Sequence, residues 1–205
     1  MPCNFCLSKN FVPYCIWDTS KIALDYHNNE WGVPLYDDIK HFEYLSMEVM
    51  QCGLSWKTIL LKRQILNLCF DNFDYEKVSK FTDKHVEKIM NTAGMIKSIK
   101  KIEAIINNAK CFLNIKKDYG SFSNYIWSFT ENKVLVYKKH QKGSIPAKNE
   151  LSIQISNDLK KYGFKFLGPV VLYSHLQACG IINDHDEKCD RYNYIVKNYD
   201  VKYID

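Results

Sequence analysis

The chain has 205 residues, of which 46% are hydrophobic and 14% are aromatic. This composition excludes an intrinsically disordered chain and predicts one folded domain with a hydrophobic core. No apolar run reaches the roughly 18 residues that a membrane-spanning helix needs, and the first residues lack the charged and apolar regions of a secretion signal. We therefore expect a cytoplasmic rather than a secreted protein, whose eight cysteines are thiols or metal ligands instead of disulfides.

Charge is unevenly distributed along the sequence. The net charge is +5, yet residues 1–50 contain three lysines against seven acidic residues, so the rest of the chain is strongly basic. Six lysines fall between residues 97 and 117, where Glu103 is the one acidic residue. Such a basic surface suits a polyanion; the alternative is a lysine-rich helix that simply faces solvent.

The first third of the sequence contains two irregular segments, followed by two helices. Residues 1–14 are interpreted as a variable leader, and residues 15–36 as a loop-like segment rich in aromatic side chains. Helical periodicity follows over residues 38–52 and 56–69.

The end of the first predicted helix carries the most informative side chains. One face of this helix is apolar and expected to be buried, with Phe42, Leu45, Val49 and Cys52. Glu48 falls on the border of that face, where a carboxylate costs several kcal/mol to desolvate unless it is compensated. Trp56 stands at the turn beyond Gly53. An acid and an indole together could bind a flat, polar or cationic ring; the alternative is a Glu in a solvent-facing salt bridge and a core Trp.

A pair of helices joined by a short hairpin is predicted next. The helices cover about residues 83–92 and 97–114, and the hairpin covers residues 93–96. A tight turn at Gly94 exposes backbone amides, which can hold a DNA phosphate without reading its sequence. Lysines just beyond the turn would strengthen such binding, namely Lys97, Lys100 and Lys101. The alternative is an ordinary helical hairpin.

The remainder of the sequence is also mainly helical. Helices are predicted over about residues 121–130, 150–162 and 170–179, with an irregular segment at 131–147 that includes a possible strand at 134–137. The polar, tyrosine-rich tail after residue 190 is expected to be peripheral. The predicted fold class is therefore all-α.

Two pairs of metal-binding residue types lie near opposite ends of the chain. The spacing of His185 and Cys189 lets both reach one ion across a turn. Cys15 and His27 lie among aromatic residues in the N-terminal segment. Two thiolates and two imidazoles would form a closed, structural zinc site that joins the N- and C-terminal segments.

The other cysteines have different interpretations. Cys3 and Cys6 form a C-x2-C pair that is a rival for the metal, although their position in the leader favours an unligated pair. Three further cysteines follow helical apolar patterns and are predicted to be buried core thiols, namely Cys69, Cys111 and Cys179.

Several short motifs are spread along residues 15–189. They are, in chain order, Cys15-Ile-Trp17, Tyr26 to Pro34, Glu48 with Gln51 to Trp56, Ala93-Gly94, Gly163 to Gly168, and Gln177 to His185 with Cys189. In this order they resemble the motifs of the DNA-3-methyladenine glycosylase I family, helix-hairpin-helix enzymes that remove 3-methyladenine from DNA.

The resemblance implies an all-α, helix-hairpin-helix DNA glycosylase fold in a single domain. Residues 15–36 and 170–190 would form a zinc-stapled lobe, and residues 37–169 a helical core with the hairpin near 93–96. It also implies one structural zinc ion per chain, bound by Cys15, His27, His185 and Cys189.

The resemblance further implies a DNA repair enzyme that acts on alkylated double-stranded DNA. Such an enzyme flips the nucleotide out, excises 3-methyladenine by hydrolysis and releases the free base. The protein would act as a monomer, away from membranes, in the cytoplasm or the compartment that holds the DNA. The base pocket would be lined by Glu48, Tyr26, Trp56 and Trp17, with Glu48 as the catalytic residue.

The sequence departs from the family pattern at two points. Ala23 stands where some members have a second pocket tyrosine. Cys15 and His27 are one residue closer together than in the best-known bacterial members.

Three alternative functions were considered. Lys100 and Asp118 have the spacing of the lysine and aspartate that strand-nicking glycosylases use, but Asp118 lacks the flanking residues of that motif, so a monofunctional enzyme is favoured. The second alternative is a protein that binds damaged DNA without releasing a base. The third alternative is a zinc-stapled protein–protein module.

Overall fold

The computed structural model describes residues 15–140 and 144–205, which are mainly helical. Cys3 and Cys6, with the rest of the predicted leader, lie outside the described residues. The helices are α1 (Lys21–Asn29), α2 (Asp38–Gln51), α3 (Trp56–Cys69), α4 (Tyr75–Val78), α5 (Asp83–Asn91), α6 (Ile99–Tyr119), α7 (Phe122–Ser128), α8 (Glu150–Lys161), α9 (Pro169–Ala178) and α10 (Asp190–Asn198), with a short 3-10 turn at Asp71–Phe73.

Helix α2 is the centre of the fold. Asp37 caps its N-terminus by accepting a hydrogen bond from the backbone N–H of Lys40 (2.8 Å). Residues 41–50 are all buried, because α3, α6, α7 and α9 pack around the helix. The sequence predicted a single buried face, so this helix is more enclosed than its apolar pattern indicates. Its polar side chains therefore need partners, or a cavity.

The segment predicted as a loop at residues 15–36 contains helix α1, and that prediction was wrong for Lys21–Asn29. Ala23, Tyr26 and His27 are buried on one side of the helix, with the i, i+3, i+4 spacing that indicates an amphipathic helix. The many aromatic residues around this short stretch obscured its period. Helix α1 brings Tyr26 and His27 to one end of α2 and α3.

The tail after residue 190 is less peripheral than predicted. It contains α10 and the strand β2 (Val201–Ile204), which pairs in parallel with β1 (Val134–Tyr137), in the register Val134 with Val201. Leu135 also bridges to Ile182. The two strands therefore hold the segment that leads from α9 to His185.

Helices α5 and α6 are joined by a turn in which Gly94 has a φ of +78°, a conformation that glycine adopts without strain. Helix α6 continues to Tyr119, five residues beyond its predicted end. Among the described residues, no helix is both long and apolar enough to cross a membrane.

Candidate functional site

A cavity of about 280 Å³ lies where α1, the turn between α2 and α3, and α9 meet. This volume is near the lower end of the range for small-ligand pockets. Its lining is mixed aromatic and polar, and comprises Cys15, Trp17, Tyr26, Trp31, Glu48, Gln51, Trp56, Ile145, Ser174, Gln177 and Ala178. Four predicted pocket residues, Tyr26, Trp56, Trp17 and Glu48, are thus brought together. Ala23 is buried and is absent from the described lining.

Glu48 is the acidic group of this cavity. The side chain is on the inner part of α2 and the residue is 5% exposed. Within the described ranges its carboxylate has no hydrogen-bond or ion-pair partner, so the solvent-facing salt bridge is not formed. Burial raises the pKa of Glu48 to about 8, because the charged form is poorly solvated. The group is therefore set to lose its proton when a cation or hydrogen-bond donors enter the cavity.

Tyr26 and Trp56 contribute two aromatic walls and two unpaired donors. Their ring centroids are 5.6 Å apart and the planes are tilted by 51°. The Tyr26 hydroxyl and Trp56 Nε1 are buried without partners in the part of the chain that the structure describes. Each such buried group costs about 1–3 kcal/mol. Burial raises the pKa of Tyr26 well above its ordinary value, so its hydroxyl stays a neutral donor. The cavity is thus suited to a flat ring with a polar edge.

Two further tryptophans extend the aromatic lining. Trp17 is 46% exposed and meets Trp31 edge to face, with centroids 5.0 Å apart. Trp31 is buried and was not singled out from the sequence, although it lies within the Tyr26–Pro34 motif. Trp17 therefore combines contact with solvent and contact with the cavity.

A charged network supports the cavity from behind. Arg63 Nη1 and Nη2 each donate to Glu30 at 2.7 Å, and Arg63 Nε donates to Glu43 at 2.7 Å. Tyr44 donates to Glu30 (3.1 Å) and its ring lies 6.4 Å from that of Tyr26. Burial alone would raise the pKa of Glu30, but the hydrogen bonds from Arg63 lower it overall. The network fixes α1, α2 and α3 relative to one another, and sequence analysis did not find it.

The four predicted metal ligands lie together beside the cavity. One ligand atom from each of them lies within 4.8 Å of the others, and all four residues are buried: Cys15, His27, His185 and Cys189. Cys15 Sγ is 3.3 Å from His27 Nε2, and Cys189 Sγ is 3.9 Å from both His27 Nε2 and His185 Nδ1. Such separations are compatible with one ion at the centre of the group.

The surroundings of the two histidines fit metal binding. His27 Nδ1 donates to Asn28 Oδ1 (2.9 Å), and His185 Nε2 donates to the Trp31 carbonyl (3.0 Å). The opposite ring nitrogens therefore present lone pairs to the thiols, as in metal sites whose histidines are oriented by outer partners. Gly32 makes this possible, because a Cβ there would lie 2.6 Å from His185 Nε2.

The hydrogen bond between the two thiols shifts their pKa values in opposite directions. The hydrogen bond with Cys189, together with burial, raises the pKa of Cys15, and the same bond lowers the pKa of Cys189. A divalent cation would allow both to ionise, so the donor set fits zinc. Cys15 and Trp31 also line the cavity, so the thiol–imidazole group and the cavity share a wall.

The turn at Gly94 and the lysines after it have different surroundings. Gly94, Lys97 and Lys100 are exposed. The ammonium group of Lys101 instead donates to the carbonyls of Met50 (2.9 Å) and Cys52 (2.6 Å) at the end of α2. Lys101 therefore attaches α6 to the turn that carries Trp56.

Lys62, which the sequence analysis did not select, donates to the Gly94 carbonyl (2.5 Å). This contact links α3 to the turn between α5 and α6. The turn is therefore held by one lysine and followed by two exposed ones.

Lys100 and Asp118 are far apart despite their suggestive spacing. Both lie on α6, where 18 residues correspond to about 27 Å of helix. Asp118 accepts a hydrogen bond from the Tyr162 hydroxyl (3.0 Å). The two side chains cannot act together on one bond.

Comparison with known proteins identifies relatives over most of the chain. The family model described as methyladenine glycosylase matches residues 17–192. DNA-3-methyladenine glycosylase 1 of Escherichia coli (strain K12) is 40% identical over 176 residues, which are 85% of this chain and 94% of the relative. The DNA-3-methyladenine glycosylase of Haemophilus influenzae is 39% identical over 176 residues, 85% of this chain and 95% of that protein.

Solved structures give the same result. The 3-methyladenine DNA glycosylase I from Staphylococcus aureus, solved to explain its recognition of 3-methyladenine, superposes with a TM-score of 0.80 at 37% identity and covers 84% of this chain and 92% of that one. A variant of 3-methyladenine DNA glycosylase I in complex with 3-methyladenine superposes with a TM-score of 0.79 at 36% identity, over 84% of this chain and 92% of that one.

Proposed function

Since the chain belongs to the methyladenine glycosylase family, we propose that it flips 3-methyladenine out of alkylated double-stranded DNA and excises it by hydrolysis. It is a DNA glycosylase, a hydrolase of the N-glycosidic bond, as are the relatives it matches. The observation that carries the substrate assignment is the buried carboxylate of Glu48 in an aromatic cavity, where it has no partner among residues 15–140 and 144–205. Such a group favours a positively charged ring over a neutral one.

The proposed mechanism relies on binding the damaged base. Methylation at N3 makes adenine a cation within the nucleotide, so the glycosidic bond is already weak. Glu48 accepts hydrogen bonds from the edge of this ring, and Trp56 offers a π face worth about 0.5–2 kcal/mol to a cation. Tyr26 and Trp17 complete the walls. Water attacks the sugar carbon, and the electrons of the broken bond neutralise the departing base.

Selectivity follows from the same arrangement. Undamaged adenine is neutral and gives the buried carboxylate no compensating charge, so extruding it would leave Glu48 protonated or unpaired. The enzyme needs modest catalytic groups, because the methylated base is a good leaving group. A pocket that binds the cation tightly is therefore sufficient.

We also propose that the enzyme is monofunctional and does not nick the strand. The described residues that line the cavity include no lysine, and Lys100 and Asp118 lie at opposite ends of α6. Borohydride trapping with substrate DNA tests this directly. We expect no covalent adduct; a trapped protein–DNA complex would contradict the proposal.

DNA binding is assigned to the turn between α5 and α6, acting as a helix-hairpin-helix motif. The exposed backbone around Gly94 would hold a phosphate, and Lys97 and Lys100 would add counterion-release affinity. Lys101 was predicted to contribute, and its bonds to the end of α2 support an indirect role in placing Trp56.

Cys15, His27, His185 and Cys189 are proposed to hold one structural zinc ion. With four protein ligands it would be closed to substrate and would supply folding energy rather than chemistry. It would staple residues 15–36 and 170–190 into one lobe against the core of residues 37–169, in a single domain. Metal analysis should find zinc in the wild-type protein. The Cys189→Ser variant should lose this zinc and be less stable. Cys69 is a half-buried thiol outside the group, so the Cys69→Ser variant should keep both the zinc and the stability.

The decisive test of function is base release from methylated duplex DNA. Chromatography of the released bases should show free 3-methyladenine, and fluorescence anisotropy should show salt-dependent binding to the same duplex. Binding without release would identify a damage sensor instead. If the protein neither binds the duplex nor releases a base, a protein–protein module is favoured.

We further propose that the protein works as a monomer in the cytoplasm or wherever the DNA is held, which size-exclusion chromatography and cell fractionation would check.

A further inference from the structure

A second group of metal-ligand atoms lies in the core, and its three residues are not part of the cavity lining. Helix α2 contributes His41, and α9 contributes His175 and, at its end, Cys179. One ligand atom from each lies within 4.8 Å of the other two, and all three residues are 0% exposed. His175 and Cys179 are four residues apart and therefore lie on the same side of α9.

The orientation of His41 is fixed by its outer nitrogen. His41 Nε2 donates to the Leu35 carbonyl (3.0 Å), which also accepts from Trp127 Nε1 (2.7 Å). The lone pair of His41 Nδ1 is consequently turned towards His175 Nε2, 3.4 Å away. Metal-binding histidines are held by outer hydrogen bonds of this kind.

The distance between the two rings fits a shared ion better than a direct hydrogen bond. N–H hydrogen bonds are mostly about 2.9–3.0 Å long. Two nitrogens bound to one ion at about 2.0–2.1 Å are about 3.3–3.4 Å apart in tetrahedral geometry and about 3.5–3.6 Å apart in trigonal geometry. The observed separation of 3.4 Å therefore corresponds to the ligand–ligand distance of a metal site.

The state of the three groups also suits metal binding. Burial lowers the pKa of His41 to about 4 and that of His175 well below its ordinary value, so both rings are neutral ligands at neutral pH. His175 Nδ1 is buried with no partner among the described residues, so of the two imidazoles only that of His41 has an outer hydrogen bond. Burial raises the pKa of Cys179 to about 12, so the thiol is protonated at neutral pH and a cation must displace that proton to bind.

We propose that His41, His175 and Cys179 form a second metal site, which takes a thiophilic d10 ion, Cu⁺ or Zn²⁺. Imidazole and thiolate ligands suit both ions. One thiolate gives a site of zero net charge with Cu⁺ and of +1 with Zn²⁺. Because a residual charge is costly in a dry core, the charge balance favours Cu⁺. The site shares no residue with Cys15, His27, His185 and Cys189 and does not depend on the proposed function.

The test counts bound ions in the full-length protein. Wild type and His41→Leu are incubated with Zn²⁺ or, under anaerobic reducing conditions, with Cu⁺, then desalted and measured by inductively coupled plasma mass spectrometry. We expect His41→Leu to bind one ion fewer per chain for the ion that the site takes. Equal counts for both metals would overturn the proposal and leave the two rings as a hydrogen-bonded core pair.

Two control variants test whether the lost ion belongs to this site. Cys179→Ser preserves the size and polarity of the side chain and should lose the same ion, with circular dichroism showing whether each variant is folded. Cys189→Ser should lose an ion from the other site and retain this one. Retention of the full count by folded Cys179→Ser would also contradict the proposal. Failure to release 3-methyladenine would bear on the glycosylase assignment and leave this count unchanged.

Discussion

Glu43 and Glu48 are two buried acids on the same helix with opposite surroundings. They are 4% and 5% exposed. Glu43 receives hydrogen bonds from Arg63 and Lys40, both at 2.7 Å, whereas Glu48 faces a cavity without a partner in the described part of the chain. The first carboxylate is compensated within the fold and therefore serves stability. The second carboxylate is not compensated by the described residues, and this difference supports the ligand-binding role that we propose for Glu48.

The largest expected effect is a loss of stability when the compensated acid Glu43 loses its guanidinium partner. Arg63→Met would leave Glu30 and Glu43 without their guanidinium, so we expect the free energy of unfolding to fall by about 3 kcal/mol, the order found when a buried pair loses one partner. Chemical denaturation measures this. The double variant Arg63→Met with Glu43→Gln should recover part of the loss; a double variant as unstable as the sum of the singles would contradict the pairing.

The next effect is the pH dependence of stability that Glu48 causes. Its pKa is raised to about 8 in the fold, so the folded state holds a proton that the unfolded state has released above its ordinary pKa. Stability due to this group should therefore decline as pH rises from about 5 to 8, by the order of 1–3 kcal/mol. Glu48→Gln should remove that decline, as the difference between the two denaturation profiles would reveal. Parallel profiles would rule out the raised pKa.

Activity should respond to the same substitution without loss of the fold. Glu48→Gln removes a charge-assisted hydrogen bond worth about 1.5–3 kcal/mol, so single-turnover release of 3-methyladenine should slow by roughly ten- to hundredfold. Glu103→Gln, on the exposed face of α6, is the matched control and should behave as wild type. A Glu48→Gln enzyme with the wild-type rate would refute the assigned role.

The smallest effect belongs to the aromatic wall. Trp56→Leu keeps an apolar side chain but removes the π face, so affinity for methylated duplex DNA, in which 3-methyladenine is a cation, should fall by about 0.5–2 kcal/mol. Trp56→Phe should retain part of it. Fluorescence anisotropy with methylated and unmethylated duplexes distinguishes the two variants, and equal preferences of the Leu and Phe variants for the methylated duplex would exclude a cation–π contribution.

Local patterns predicted two of the helices beside the cavity closely, although they missed α1. Helix α3 begins at Trp56 and ends at Cys69 as predicted, and α2 ends one residue before its predicted end, because the apolar period and Gly53 are local signals. Strand β1 also has its predicted bounds, while its partner β2 was missed. The two strands pair in parallel although they are 67 positions apart, so the sequence of either segment alone does not indicate its partner.

The site was only partly predictable for the same reason. Glu48 and Trp56 are close in sequence, and the resemblance to a family linked them to Tyr26 and Trp17. Arg63, by contrast, is an ordinary basic residue on α3 until the fold brings Glu30 to it across 33 positions.

The pairing of His41 with His175 spans 134 residues. The sequence analysis interpreted Cys179 as a core thiol, although His175 precedes it with the spacing that His185 and Cys189 also have. The other imidazole, that of His41, is distant in the chain, so no local pattern indicates a group of three.

The wall that Cys15 and Trp31 form between the thiol–imidazole group and the cavity has a thermodynamic consequence. With zinc held as proposed, loss of the ion would release a side of the pocket, so chelation should weaken affinity for the free base. Linkage makes the effect reciprocal: saturating 3-methyladenine should raise the affinity for zinc by the same free energy, which an equilibrium competition against a chelator would measure. The structural ion would then also influence the affinity of the enzyme for the free base that it releases.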